Sequence, residues 1–460
     1  MTRIETDLCI LGGGSGGLAI AAGAAQMGAE VVLLEGHKMG GDCLNYGCVP
    51  SKALLAEGKR ARAGQEVAFK RAKDHVADVI ATIEPHDSVE RFEGLGVRVI
   101  REYGRFISPT EVQAGDTVIA ARRFVIATGS GPLVPPIDGI EDVTVHTNET
   151  IFELQERPEH LLVIGGGPIG MEMAQAHRRL GCKVTVIEGA KALGKDDPDL
   201  AAIVLDKLRG EGIEIIEGAQ ARQVSQADGR ITVHTDQGAV TGSHLLMAVG
   251  RKVNVAGLDL DAAGVDWDKS GVKVSDTLRS TSNRRVYAVG DAAGGMQFTH
   301  VAGYHAGIVI RSALLGLPAK QTTRHIPWTT YTDPEMAQVG LTEVQARETH
   351  GDRLEVAEAE FAGNDRAVAE GKTTGRIKIM VVRGRPVGAT IVGPMAGELI
   401  AMWAMAIANK LKMSAISNTV LPYPTFSEIN KRAAGNYFAP RLFESDTVKR
   451  VVRLVQKYLP

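Results

Sequence analysis

One stretch of this sequence is written twice. Residues 7–36 read DLCILGGGSGGLAIAAGAAQMGAEVVLLEG and residues 160–189 read HLLVIGGGPIGMEMAQAHRRLGCKVTVIEG, aligned without a gap at a constant offset of 153. Each copy opens with a short apolar run of the kind found in buried parallel strands. A glycine-rich turn follows, then a helix-forming stretch, then a second apolar run that ends in glutamate.

The turns place Gly12, Gly14 and Gly17 in the first copy and Gly165, Gly167 and Gly170 in the second, each a G-x-G-x-x-G. In such a turn the first glycine makes the tight bend and the second lets a pyrophosphate approach the backbone. The third lets the helix close onto the strand. The helix N-terminus then offers free N–H groups and partial positive charge to phosphate. Glu35 and Glu188 each follow the first glycine by 23 residues, where a carboxylate accepts from ribose hydroxyls. Strand, turn, helix, strand and acid occur in order, twice. This predicts an α/β chain with two Rossmann-like dinucleotide-binding domains, one for a flavin (FAD) and one for a nicotinamide. Glu188 suits a 2′-hydroxyl and repels a 2′-phosphate. NAD is therefore expected rather than NADP, although Lys191 and Lys195 are near.

A length of 460 residues suggests about three domains. The formal net charge of −2 gives no reason to expect a nucleic-acid partner. The apolar N-terminal run is broken by glycines and flanked by Glu5 and Asp7, which fits neither a signal peptide nor a membrane span. A cytoplasmic protein without a transmembrane segment is expected. Of four cysteines, Cys9 and Cys182 sit in or beside apolar runs and read as buried small hydrophobes. The other two, Cys43 and Cys48, stand in GGDCLNYGCVPSK, just after Glu35. Half of a zinc site is one reading. Such a site needs about four ligands and usually a second pair, which the chain lacks, so no metal site is expected. A redox-active disulfide beside a flavin site is the better reading.

That motif, one strand after a flavin-type glycine turn, resembles the flavoprotein disulfide reductases, the family of dihydrolipoyl dehydrogenase, glutathione reductase and mercuric reductase. The resemblance extends over essentially the whole chain. It implies that Cys48 lies against the flavin as the charge-transfer thiolate and that Cys43 is the interchange thiol. It implies that Lys52 lies near the flavin ring and pairs with Glu172. Val125–Ser130, Met247–Arg251 and Val286–Asp291 resemble the family's strand-end segments. Gly41, Asp42, Thr128, Gly129, Gly250 and Asp291 are accordingly expected among the cofactor contacts, with Asp291 on the ribityl chain. Pro168 stands where glutathione reductase has an aromatic gate. His300 and His305 follow Asp291 and are given no catalytic role.

The resemblance also divides the chain. Residues 1–148 and 273–325 would form the FAD-binding domain and 149–272 the NAD-binding domain. Residues 326–440 would form an α+β dimerisation domain that completes the active site of a second copy, giving a homodimer. Within it, dihydrolipoyl dehydrogenases and glutathione reductases carry a proton-shuttling His-Pro-Thr followed by a Glu that orients the His. This chain has Tyr423 in the His place and keeps Glu428. A free tyrosine titrates near pH 10 and is a poor general base, whereas histidine titrates near pH 6.5. Weak oxidation of dihydrolipoamide follows, unless Tyr423 is merely an interface aromatic. Mercuric reductases share the tyrosine but use a second cysteine pair near the C-terminus, and no cysteine follows Cys182 here.

The sequence therefore reads as an FAD-dependent, NAD(H)-linked dithiol–disulfide oxidoreductase. Its nearest likeness is to dihydrolipoyl dehydrogenase, then to mercuric reductase or another reductase of soft electrophiles. The substrate would be a small or protein-bound disulfide or dithiol. Residues 441–460 repeat valine at helical spacing among Lys and Arg. They read as a terminal helix packed on its own dimer, or as a docking helix for an acidic partner or a membrane surface. Docking of this kind would suit a different class of protein, an electron-transfer or redox-sensor protein with a protein partner.

Overall fold

The computed structural model describes residues 2–459. Its fold is mixed α/β, with two parallel dinucleotide-binding sheets and an antiparallel sheet towards the C-terminus, as the sequence predicts. The described residues form two compact units. One holds the chain up to Gly189 together with Glu214–Thr322; the other holds Ala190–Ile213 and the chain from Thr323 onward.

The first unit contains both copies of the repeat. In the first sheet, strands Val97–Ile100, Val31–Leu34, Thr2–Leu11 and Thr117–Ile126 lie side by side and parallel, and Val286–Ala288 adds to the far edge of Thr117–Ile126. Alternation along Thr2–Leu11 sends Leu8 and Ile10 into one core and Cys9 and Leu11 into the other. Cys9 and Cys182 are both buried, so each is a packing residue. The second sheet runs Glu214–Glu217, Lys183–Glu188, His160–Ile164, His244–Met247 and Val145–His146, again all parallel.

The repeat survives in three dimensions down to register. Leu8 faces Val31 across the first strand pair, and Leu161 faces Val184 across the second. Gly12 and Gly165 take left-handed φ of +113° and +114°. A Cβ at Gly17 would sit 1.9 Å from the Gly12 carbonyl oxygen, and one at Gly170 would sit 2.0 Å from that of Gly165. No side chain fits there, so each helix presses directly on the turn it leaves.

The second unit is built on a five-stranded antiparallel sheet in the order Pro327–Thr330, Glu335–Gly340, Arg385–Gly393, Arg376–Val382, Leu354–Glu360. Helix Glu428–Ala439 packs its Ile429, Ala433 and Ala434 into the core of this unit. Lys378 is buried among Glu343 at 2.8 Å, Asp199 at 3.1 Å and Asp197 at 3.2 Å. Asp197 also caps helix Pro198–Gly210 by accepting from Leu200 N–H. A buried lysine held by several carboxylates fixes that helix to the sheet.

Gly17→Ala or Gly170→Ala should each cost about 1–3 kcal/mol, the usual penalty for forcing an atom into a filled core. Denaturant melts check this; unchanged midpoints in both variants would contradict the packing described.

Candidate active site

Helix Ser15–Gln26 begins at Gly14 and helix Pro168–Arg179 at Gly167, and neither has a side-chain cap on its first N–H groups. A Cβ at Gly167 would meet nothing within 4 Å, and at Gly14 nothing nearer than 3.8 Å. Both helix starts therefore combine unclaimed donors with open space, which is what a pyrophosphate requires. The acids beside them are held alike. Glu35 accepts from Gly13 N–H at 2.8 Å and from His37 N–H at 2.7 Å; Glu188 accepts from Gly166 N–H at 2.6 Å. The donor sets fit two dinucleotides.

The cysteine segment is fastened to the first glycine turn. Gly40 donates its N–H to Gly13 at 2.9 Å, and Gly14 and Gly40 form an isolated parallel bridge. A short turn of helix, Gly41–Asn45, carries Cys43, and Cys48 opens helix Cys48–Arg62. That helix packs against Pro168–Arg179, which brings Lys52 Nζ to 2.8 Å from Glu172 Oε2. The ion pair expected from the resemblance is thus present, with Glu172 nearly buried.

Cys48 is exposed and Cys43 half-buried, and both are thiols. A hydrogen bond from Cys43 lowers the Cys48 pKa to about 6; burial opposes this, while Thr299, 3.5 Å from the sulfur, and the charge of Lys52 assist. Cys43 is pushed the other way, first by that same hydrogen bond with Cys48 and then by burial. The pair thus holds one proton on Cys43 and a negative charge on Cys48.

Arg251 lies at the centre of a polar network that the sequence did not single out. Its guanidinium donates to Ser130 Oγ at 2.7 Å and to the Ser130 carbonyl at 2.6 Å, and pairs with Asp42 Oδ1 at 3.0 Å. Ser130 Oγ in turn donates to Asp291 Oδ2 at 2.5 Å. Burial raises the Asp291 pKa, against the Ser130 hydrogen bond and the Arg251 charge. Asn148 adds a 3.0 Å hydrogen bond to Asp42 and a 3.2 Å one to the Tyr46 carbonyl. Thr128 and Gly129 join the same seam, since Thr128 Oγ1 donates to the Asn254 carbonyl at 2.6 Å and Gly129 O accepts from Asn254 N–H at 2.9 Å. Gly250 accepts from Leu133 N–H at 3.0 Å. His305 supports the turn before Asp291 by accepting from Gly290 N–H at 3.1 Å, and His300 stacks on Phe298. Asp42, Lys52, Asp291 and the first glycine turn are the residues that would hold FAD; Gly165, Gly167, Gly170 and Glu188 would hold the nicotinamide dinucleotide.

In the second unit, Tyr423 is 70% exposed and donates its hydroxyl to Asp365 Oδ2 at 2.8 Å. Asp365 raises the tyrosine pKa above its usual value. Glu428, at the start of its helix, lies within a long 3.5 Å contact of Thr425 N–H. The acid that meets the Tyr423 hydroxyl is Asp365, which no sequence motif indicated. Asp365 starts helix Asp365–Ala369, and the preceding Asn364 caps that helix and donates to the Thr425 carbonyl at 3.1 Å.

Alkylation of the reduced wild-type protein, followed at Cys48 by peptide mapping, should titrate a thiolate with a pKa near 6. Because Lys52 lowers that value and Glu172 raises it, Lys52→Met should shift the titration upward and Glu172→Gln downward. Shifts of the same sign would refute the electrostatic account.

Comparison with known proteins agrees with this geometry. The family model for pyridine nucleotide-disulphide oxidoreductases matches residues 6–306, and the model for their dimerisation domain matches residues 326–434. A mercuric reductase of Lysinibacillus sphaericus is 32% identical over 447 residues, covering 93% of this chain and 82% of the relative. A dihydrolipoyl dehydrogenase of Bacillus subtilis (strain 168) is 31% identical over 448 residues, covering 92% of this chain and 96% of the relative. Among solved structures, the Cu(II) complex of the HOCl-induced flavoprotein disulfide reductase RclA from Escherichia coli superposes with a TM-score of 0.85 at 29% identity, covering 92% of this chain and 98% of that one. With two helix starts fit for dinucleotides, a polarised thiol pair fastened to the first of them and matches spanning nearly its whole length, this chain belongs to the pyridine nucleotide-disulphide oxidoreductases, whose cofactors are FAD and a nicotinamide nucleotide.

Proposed function

We infer that the protein is an NADH-dependent reductase that delivers electrons from the Cys43–Cys48 dithiol to a thiol-reactive acceptor, a disulfide or a soft metal ion, and that it oxidises dihydrolipoamide poorly. The observation that carries this reading is the Tyr423–Asp365 hydrogen bond. Oxidising a dithiol requires a base that takes the thiol proton. Tyr423 is already protonated at neutral pH, and Asp365 strengthens its hold on the proton. It can give a proton to a leaving thiolate but cannot readily take one.

FAD, when bound, supplies the route by which an electron pair from NADH restores the dithiol. The protein's own residues account for the rest. Cys43, its proton passed across the hydrogen bond to Cys48 and from there to solvent, attacks one sulfur of a substrate disulfide. A Cys43–substrate bond forms, and the other substrate sulfur leaves and takes a proton, with Tyr423 of a second copy as donor. The Cys48 thiolate then attacks Cys43 sulfur, which closes the Cys43–Cys48 disulfide and expels the second thiolate. Two electrons have moved from the cysteines to the substrate. A low pKa keeps Cys48 ready for this second step. With a soft metal ion as acceptor, the same sulfurs are the ligands. The mercuric reductase relatives and the Cu(II) complex of RclA favour this acceptor class. Glu188, fixed by Gly166, supports NADH as the donor, because its charge lies where a 2′-phosphate would sit.

Anaerobic titration with NADH should produce a long-wavelength charge-transfer band at two electrons, lost in Cys48→Ser. No band in the wild type would overturn the reading, and a stoichiometric protein partner without turnover on any disulfide or metal ion would favour an electron-transfer or sensor role. NADH should exceed NADPH in kcat/KM by about tenfold or more. Tyr423→His should raise dihydrolipoamide oxidation by up to about 10²–10⁴-fold, the usual worth of general-base help. No gain, with the charge-transfer band intact, would show that this position does not limit the reaction.

A further inference from the structure

We propose that the C-terminal helix Asp446–Tyr458 is a peripheral membrane anchor that lies in the plane of an anionic lipid surface. The helix spans 13 residues and none of them is buried. At 3.6 residues per turn its side chains separate into two faces. Val448, Val451, Val452, Val455, Tyr458 and the adjoining Leu459 share one side, and Lys449, Arg450, Arg453 and Lys457 share the other. Val451 and Val452 are each about half exposed, at 52% and 51%. Just upstream, Leu442 and Phe443 are exposed at 49% and 73%. The family's dimerisation-domain match ends at residue 434, before this helix begins.

The charge decides among possible occupants. The cationic face carries a single acid, Asp446, in the first turn. A second copy of the same helix would cover the apolar face but leave the cations without a complementary surface. An acidic protein would complement the cations but offers no reason for a broad aliphatic face beside them. A lipid surface has both parts in parallel layers, acyl chains below and phosphates above, and a helix lying at the boundary meets each with the matching face. Lysine and arginine stems reach upward from such a depth, and tyrosine favours the headgroup level. A helix of 13 residues is about 20 Å long, too short to cross a hydrocarbon core of about 30 Å. Among the described residues no helix is long and apolar enough to span a membrane, so the association is lateral.

Flotation of the full-length, FAD-loaded protein with vesicles tests this. The protein should float with phosphatidylcholine vesicles containing about one-third phosphatidylglycerol and bind pure phosphatidylcholine at least ~100-fold more weakly. Replacing Lys449, Arg450, Arg453 and Lys457 together by Gln should weaken binding to the anionic vesicles at least ~100-fold. Val451→Asp with Val455→Asp should abolish it even at low salt, and the uncharged pair Val451→Ser with Val455→Ser should weaken it too, which non-specific attraction by basic residues would not predict. Reduction of ferricyanide by NADH should be unchanged in every variant, showing an intact fold. The proposal fails if the wild type does not float, or if any variant floats like it. It also fails if Val451→Asp with Val455→Asp instead splits the dimer, which would assign the face to a second copy. Retention on immobilised polyglutamate without binding to lipid would overturn it in favour of an acidic protein partner.

Discussion

Everything in the first unit depends on two contacts between backbone and backbone. The third glycine of each turn lies so close to the carbonyl of the first that a single added carbon would overlap it. This closeness tips each helix so that its uncapped N-terminus faces the space in front of the strand ends. It also fixes where the next strand runs, and so where Glu35 and Glu188 present their carboxylates. The first turn then holds the cysteine segment through Gly13, Gly14 and Gly40. If the glycine contact were lost, the dinucleotide sites and the position of Cys43 would be lost together. The doubling of the motif doubles the constraint, and the agreement of φ angles and strand register between the copies shows how little freedom it leaves.

What the sequence reveals is what depends on neighbours in the chain. The glycines and the acids at the strand ends follow from local periodicity, and the structure brings them together as that periodicity implies. The ion pair of Lys52 and Glu172 lies 120 residues apart and came only through resemblance. Arg251 was visible as the end of a strand, but its partners Asp42, Ser130 and Asp291 come from three separate segments. No spacing rule joins them until the topology does. Asp365 is the sharper case. Glu428 stands where the family keeps its orienting acid, while the acid that meets the tyrosine hydroxyl sits at the start of another helix. A histidine offers an N–H to a carboxylate on one side of its ring; a tyrosine offers an O–H at its tip, farther from the backbone. Replacing one by the other moves the donor, and a different acid answers it.

The two halves of the proposed chemistry also obey one electrostatic logic. Around Cys48, a hydrogen bond from Cys43, the hydroxyl of Thr299 and the charge of Lys52 favour the deprotonated sulfur. Glu172 opposes them, yet it also holds Lys52 in place. The lysine therefore acts through its position as well as its charge. Around Tyr423 the balance is reversed, because Asp365 favours the protonated form. A stable thiolate on one side and a retained proton on the other would give the proposed site, shared between two copies, a polarity that a histidine would not impose.

That polarity bears on direction. In a reversible thiol–disulfide enzyme the same group must take a proton in one direction and return it in the other, and an imidazole near neutrality does both. Tyrosine held by an aspartate does only one. The proposed site would release thiols from a disulfide, since each departing thiolate needs a proton and Tyr423 carries one. It has no comparable means of drawing the proton from an incoming thiol. A metal ion brings no thiol proton and carries none away; the one proton its binding displaces is that of Cys43. The acceptors proposed for this chain are therefore those that bring no thiol proton of their own to be removed, and the replacement of one side chain would be enough to favour them.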